Sequence, residues 1–519
     1  MAIPQVSGGN VKLAAVVELG TTSIRMVIGQ IDETGHFLVL DNLQQAVAIG
    51  KDTFTKGLIE QETIEECVQA LRSFRNALRE YGITDIGVVK AIATSAVREA
   101  TNLDAFLDRI FMATGLNVEV IDEADAGYFT YMAVQPAIEK EPTLKDSNVL
   151  VVDVGGGSTE VLMLSQGLVK TTGSYRLGSL RLKKSLEEQR APLSRLRQIM
   201  QSYIEQTMEM LKQQIPANEQ MNLVALGGDM RFAASQLQPD WNKKSLVKIT
   251  VSALSKMTDE IVKYSTDDLV RIYHLAYPEA ETLAPALLTF VHLAKALGLK
   301  NIFAANLTMR DGVLADMAGG HGFWCKDFKK QIIASAMQIG RKFNYDEPRA
   351  KQVADLAEQL FHALQEEHRL GPRHEVILNV AALLHDIGQL VSNRSHHKHS
   401  MYLIMNSDIF GMSRRDIMYA ALIARYHRRA TPRPVHEYYN TLNREERVML
   451  TKLAAILRIA DALARGASKV KRTLRISLES RQLTIAVDEV SDLTLEEHAL
   501  RQKREMFEQV YGMKVKLEG

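Results

Sequence analysis

The chain has 519 residues, 46% hydrophobic and 24% charged, an ordinary balance for a soluble globular protein with apolar material for three or four domain cores. A formal net charge of +1 excludes a whole-chain field that would steer it to nucleic acid or an acidic membrane, so any anion site is local. Cys67 and Cys325 are the only cysteines; they exclude a disulfide framework and a cysteine-zinc site and point to a reducing, cytoplasmic setting, and neither a secretion signal nor an apolar run of roughly 20 residues is present.

In chain order, Leu13 to Ile31 reads as strand, Gly/Thr/Ser turn and strand. Ile64 to Tyr81 is helical, Ile86 to Thr94 a buried strand, Leu103 to Thr114 a helix and Val118 to Ile121 a short strand. Val149 to Leu164 repeats the strand–turn–strand pattern, and Leu182 to Gln214 is a long amphipathic helix with a break near Pro192. VVELGTTSIRMVI (from Val16) lies over VVDVGGGSTEVLML (from Val151), with Glu18 and Asp153 in the same place. A duplicated unit of this kind predicts two related lobes facing each other across a cleft.

From about His321 strands give way to helices: Asp327 to Phe343, Pro348 to Glu367, Glu375 to Leu390, Arg414 to Tyr426 and Arg444 to Arg465. The tail reads as strands LRISLE and LTIAVD around a turn at Ser480 to Gln482, a helix from Leu495 to Tyr511 and a strand from Met513 to Leu517. The expected fold class is α/β followed by α, with lobes at 1–135 and 136–320, a helical domain at 321–470 and a small α/β domain at 471–519.

Asp153-Val-Gly-Gly-Gly-Ser-Thr-Glu160 joins two apolar strands. Its glycines allow a tight turn that aims several N–H groups at one point, an anion nest to which Ser158 and Thr159 add hydroxyls. No Lys-Ser/Thr pair follows, so it is not a P-loop, and a strand follows where a dinucleotide fingerprint needs a helix. Leu19-Gly-Thr-Thr-Ser23 is its counterpart, with Glu18 able to hold Mg²⁺ directly or through water. In Val224-Ala-Leu-Gly-Gly-Asp229-Met, a helix start favours anions, but Asp229 reads more simply as an N-cap. Arg98 either clamps phosphate or forms a surface ion pair. Asp122, Glu123 and Asp125 follow a strand; one of them is a general base, or all serve a helix N-terminus. In the helical half, His385-Asp386 precedes His396-His-Lys-His399, Arg425-Tyr-His-Arg428 and Asp461. A complete metal site there asks for a further His near Val353, which is missing, so a structural role for His385 and Asp386 is favoured.

ELGTTSIRMVI, ATSAVREATN, DVGGGSTE, YRLGSLRL, the ALGG loop, LLHDIG, HHKHS and ARYHRRATP, in this order, resemble the exopolyphosphatase/guanosine pentaphosphate phosphohydrolase family over nearly the whole chain. The resemblance implies an actin-like fold in the first two domains, then a helical HD-like domain and a small C-terminal domain. It implies release of terminal phosphate from inorganic polyphosphate or guanosine pentaphosphate with Mg²⁺ (or Mn²⁺), in a protein that commonly forms a homodimer and has no membrane or specific nucleic-acid partner. Transferred position by position, it makes Asp125 and Glu160 the catalytic residues. Phosphate contacts fall on Thr21, Thr22, Ser23, Arg98, Gly155, Gly156, Gly157, Ser158, Gly227 and Gly228, the metal near Glu18 and Asp153, and an HD-like remnant on His385 and Asp386.

The chain departs from that pattern at Glu18, where the family has Asp, at Asp125 and Ala126, where it has Glu-Glu, and at Asp229, where it has Thr. An acid shortened by a C–C bond of about 1.5 Å shifts the reacting group by a distance that costs about a hundredfold in rate. Two further expectations follow: a binding or sensor protein that keeps the cleft without the chemistry, and an HD-type metallophosphohydrolase.

Overall fold

Lys12–Leu19 (β1) and Ser23–Ile31 (β2) pair antiparallel, with Leu19 opposite Ile24 and Glu18 opposite Arg25. Residues Ala14 to Leu19 are all buried, which is why the apolar run hardly alternates: both faces of this strand are covered. Phe37–Ala46 (β3) pairs antiparallel with β2, and Val89–Ala93 (β4) and Val118–Val120 (β5) continue from β1 in parallel, giving the order β3-β2-β1-β4-β5. The computed structural model describes residues 11–33, 36–188, 198, 201–206, 209, 221–318, 326–466, 473–479, 481–487 and 492–518.

The second sheet repeats this plan. Asn148–Val154 (β6) and Thr159–Ser165 (β7) form the hairpin, Leu168–Tyr175 (β8) lies outside β7, and Met221–Leu226 (β9) runs parallel to β6. Val247–Thr250 (β10) closes the far edge antiparallel to Asn301–Ala304 (β11), which is itself parallel to β9. The repeat visible in two hairpins therefore extends through whole sheets, the actin-like arrangement. Parallel neighbours need crossovers, supplied in the first sheet by helices Ile49–Lys56, Gln61–Glu80 and Leu103–Thr114. In the second, helix Ser179–Glu188 opens the crossover; the expected continuation to Gln214, with its break near Pro192, lies for the most part outside the described residues.

Local chemistry adjusts some boundaries. The strand expected from Ile86 begins at Val89, because the Asp85 carboxylate accepts the Gly87 N–H at 2.8 Å and bends Ile86–Val88 into a 3-10 turn. The expected lobe boundary at 135/136 falls inside helix Glu123–Lys140. Helix Met309–Ala318, in the segment expected for the second lobe, packs on that helix and on β1. Tyr128 Oη donates to Asp316 Oδ1 at 2.7 Å, and a Cβ on Gly312 would lie 1.8 Å from the Phe129 carbonyl oxygen.

The chain divides into compact units at Met1–Gly322 and Phe323–Gly519. The second unit carries helices Lys326–Lys342, Glu347–Ala363, Pro372–Leu384, His396–Met405, Arg414–Arg425 and Arg444–Leu463. It ends in Leu474–Glu479 (β12), Gln482–Val487 (β13), helix Thr494–Tyr511 and Lys514–Glu518 (β14), with β13 central in the sheet. The helix expected to run from Glu375 to Leu390 stops at Leu384, and Ile387–Leu390 is a 3-10 turn. Gly388 lies in that turn and packs closely on the next helix: a Cβ there would meet His396 O at 2.3 Å. Cys325, His321 and Ser480 lie outside the described residues, and among the described residues no helix is long and apolar enough to cross a membrane.

Gly312→Ala forces a methyl group against a backbone carbonyl that cannot rotate away. It should lower stability by about 1–3 kcal/mol, read as a reduced urea midpoint; an unchanged midpoint would show that the two helices separate freely.

Candidate functional site

Both hairpin turns close with the same bond: Gly20 N–H donates to Ser23 O at 3.0 Å and Gly155 N–H to Ser158 O at 2.9 Å. In both, the next carbonyl is captured by the segment that opens the following helix. Thr21 O accepts from Gly50 N–H at 2.8 Å; Gly156 O accepts from Leu180 N–H at 3.0 Å and Arg181 N–H at 3.1 Å. In a trans peptide C=O and N–H point opposite ways, so drawing these carbonyls onto the helices turns the Thr22 and Gly157 N–H groups away from them. The two turns also touch. A Cβ on Gly156 would lie 2.9 Å from Thr21 Cβ, and one on Gly157 would lie 2.5 Å from Ser95 Oγ and 2.7 Å from Phe54 Cζ.

A cavity of about 310 Å³ opens beside this contact, and Glu18, Thr21, Thr22, Arg98, Asp153, Gly155, Gly156, Gly157, Ser158, Glu160, Gly227 and Gly228 all line it. Two expected site residues stand apart. Ser23 is 2% exposed and its Oγ has no hydrogen-bond partner among the described residues. Asp125 is the N3 residue of a capping box: Asp122 accepts its N–H at 2.9 Å, and its own Oδ2 accepts the Asp122 N–H at 3.2 Å. The carboxylate is thereby turned onto its own helix start, and Ile121 and Ala126 form the cavity wall there. Asp229 is not the N-cap its position suggested. Gly227, at φ +107°, takes that place without a side-chain bond, and Asp229 lines the cavity and accepts from Thr282 Oγ1 at 3.2 Å.

The pattern described as the Ppx/GppA phosphatase family matches residues 27–321, and its domain III pattern matches residues 333–508. The chain belongs to the Ppx/GppA phosphatase family. It is similar to the guanosine-5'-triphosphate,3'-diphosphate pyrophosphatases of Aeromonas hydrophila (23% identical over 507 residues, 96% of each chain) and Vibrio parahaemolyticus (24% over 513 residues, 96% of this chain and 97% of that one). The crystal structure of an exopolyphosphatase from Cytophaga hutchinsonii, 24% identical, superposes with a TM-score of 0.54 over 60% of this chain and 98% of that one; this likeness concerns the fold.

In this Ppx/GppA member the cavity carries charges of both signs. Burial raises the Glu18 carboxyl, but Arg310, Arg25 and Arg231 outweigh it and hold the group below its ordinary value; Arg310 is in direct contact with it. Burial also raises Asp153, against Arg231, pushes Asp229 to about 6 and pushes Glu160 to about 7, against the hydroxyls of Ser158 and Ser174 and the charge of Arg98. Near neutrality Glu160 is therefore partly discharged, which lessens the acidic charge that the four arginines lining the cavity face and favours entry of an anion. Asp125, raised to about 7 by burial and by the Asp122 charge, titrates in the same range from its place on the helix.

Arg25, Arg231 and Arg310 line the cavity and were not singled out in the sequence. Arg25 was within reach of the repeat: it occupies the position of Glu160, since Glu18 pairs with Arg25 across one hairpin as Asp153 pairs with Glu160 across the other. Arg231 and Arg310 follow loops with no such internal reference.

In the second unit, Asp386, His396 and His427 converge, whereas His385 faces both Asp386 (3.4 Å) and Asp461 (3.7 Å). On helix Glu347–Ala363, where the missing His was expected, Val353 is buried and Arg349 reaches Asp461 at 2.5 Å.

Folding raises the Glu160 carboxyl from 4.5 to about 7, so its contribution to stability is present below about 4.5 and lost as pH rises through about 7. Glu160→Gln, which cannot ionise, should lose less thermal stability than the parent between about pH 5 and about pH 8. Equal losses in the two proteins would contradict the raised value.

Proposed function

We propose that the cleft holds the end of a linear phosphate chain and hydrolyses its terminal phosphoanhydride bond, releasing orthophosphate. The observation that supports this best is the meeting of two amide-presenting turns at a cavity lined by four guanidinium groups and holding a carboxylate poised near neutrality. Guanidinium groups bind phosphate oxygens with planar, paired donors, so Arg25, Arg98, Arg231 and Arg310 take the non-bridging oxygens, and the turn amides add donors fixed in advance of the reaction.

Glu160 is the group that moves the proton. Ser158 and Ser174 both donate to its Oε1, at 2.8 and 2.9 Å, leaving Oε2 for a water. As that water's oxygen bonds to the terminal phosphorus, its proton passes to Oε2; the bridging P–O bond breaks, and its electron pair stays on the shortened chain. Asp125, held on its helix start, tunes the local charge at a remove. Mg²⁺ or Mn²⁺ fits Asp153, which makes no ion pair among the described residues, while Arg310 engages Glu18; a hard cation held by one or two carboxylates also takes substrate phosphate oxygens. When bound, such an ion supplies neutralisation of charge developing on the phosphate.

Inorganic polyphosphate and guanosine pentaphosphate present the same terminal group. Phe232, Leu275 and Leu283 line the same cavity, apolar surface of use to a nucleoside and of none to a bare phosphate chain, so guanosine pentaphosphate is the favoured substrate. A second reading, binding without appreciable turnover, is favoured by the Asp125 carboxylate being bonded back to Asp122 N–H.

Orthophosphate release from both substrates, with and without a chelator, separates these readings; saturable binding with no release would establish the second. Within the first, Glu160→Gln should lower kcat by about 10²–10⁴ and Asp125→Asn by far less. Full activity in Glu160→Gln would remove it from the reaction.

A further inference from the structure

The second unit offers a site independent of the cleft. Gly388 lets the turn after helix Pro372–Leu384 press on the start of helix His396–Met405: a Cβ there would lie 2.3 Å from His396 O and 2.4 Å from Ser400 N. Asp386 is thereby set beside His396, and the end of helix Arg414–Arg425 delivers His427 to the same point.

Three acceptor atoms meet there. His396 Nε2 lies 3.2 Å from Asp386 Oδ1 and 3.3 Å from His427 Nε2, and His427 Nε2 lies 3.6 Å from Asp386 Oδ1. The opposite ring nitrogens fix the tautomers. His427 Nδ1 is 2.6 Å from Ala424 O and His396 Nδ1 is 3.2 Å from Asn393 O. A carbonyl only accepts, so each Nδ1 carries the hydrogen, and in the neutral rings each Nε2 presents a lone pair. Two lone pairs and a carboxylate oxygen at this separation repel unless a positive charge lies among them. A proton serves one edge of the triangle; a metal ion serves all three corners. With metal–ligand bonds of about 2.1 Å, neighbouring ligand atoms stand about 3.0 Å apart in octahedral and about 3.4 Å apart in tetrahedral geometry, close to the observed edges. Backbone carbonyls orienting the far nitrogens are the support that metal-bound imidazoles receive.

We infer that Asp386, His396 and His427 hold one divalent first-row transition-metal ion whose open positions take an anionic, phosphate-bearing ligand. Two imidazoles and one carboxylate select zinc, iron or manganese over Mg²⁺, which prefers oxygen alone. The three ligands line a cavity of about 480 Å³ whose wall also holds Arg428, Arg429 and Arg465, cations that match a phosphate.

The other half of the cluster limits occupancy to a single ion. Asp386 Oδ2 faces His385 Nε2 at 3.4 Å and Arg349 Nε at 3.8 Å. His385 is 1% exposed, its Nδ1 is 2.7 Å from Ala382 O, and its Nε2 has no hydrogen-bond partner among the described residues. Beyond it Asp461 is taken by Arg349 and Lys503, so fixed side-chain cations stand where a second ion would have to bind. The Glu358, His362 and Glu375 group differs, because Lys329 Nζ already sits between its carboxylates at 2.6 and 2.5 Å.

The full chain, stripped with chelator and dialysed against Zn²⁺, Mn²⁺ or Mg²⁺ separately, should retain one equivalent of zinc or manganese by elemental analysis. Retention should fall at least tenfold in His396→Gln and in Asp386→Asn, with circular dichroism unchanged. Both side chains are partly exposed, 14% for His396 and 24% for Asp386, so either variant keeps the measurement decisive if the other fails to fold. Inorganic phosphate should slow metal removal by chelator in the parent and less so in Arg428→Ala. No retained zinc or manganese in the parent, or full retention in folded His396→Gln, overturns the site; metal retained with no effect of phosphate overturns its anionic ligand.

Discussion

Contact between the two hairpin turns is the constraint on which the rest of the first unit depends. Thr21 occupies space that any side chain on Gly156 would need, and Ser95 and Phe54 do the same to Gly157. Gly178 serves the same end, since a Cβ there would lie 2.2 Å from the Gly157 carbonyl carbon. Arg181 then ties the sheets together: its Nε donates to Gly157 O at 2.7 Å, its guanidinium bonds Glu99 at 2.6 Å, and it stacks 4.0 Å from the Phe54 ring centre. The turns approach this closely because Gly156, Gly157 and Gly178 carry no side chain where one would collide.

The electrostatics follow from that closeness. Carboxylates left in water would keep their ordinary values; apposition of the lobes withdraws solvent from Asp153, Glu160 and Asp229 and raises all three. Glu18, buried as deeply, moves the other way because Arg310 is in direct contact with it. One cavity thus holds an acid kept as an anion and, in Glu160, one that exchanges its proton near neutrality, a division of roles set by neighbours and not by residue type.

The helical unit reaches a comparable result with different parts. Asp386 divides its two oxygens between the His396 and His427 Nε2 atoms on one side and His385 with Arg349 on the other. Gly388 again allows the approach. Lys503 and Arg349 neutralise Asp461, so a deeply buried acid is compensated without an ion of its own.

Local and periodic features were legible in the chain. The β1–β2 and β6–β7 hairpins, the matching of Glu18 with Asp153, helix Leu103–Thr114 and the turn to helices in the second half are all written in short-range patterns of apolar spacing and glycine. The return of helix Met309–Ala318 to the first sheet, and the pairing of Arg310 with Glu18 across 292 positions, have no local signature, because packing between distant segments leaves no period to read. The same holds for Asp125 and Asp229. Spacing placed each near a helix start, but only the folded backbone decided that Asp125 bonds its own helix while Asp229 faces the cavity. Residue order determined which chemistry was available; three-dimensional proximity, which sets burial and charge neighbours, decided where it is used.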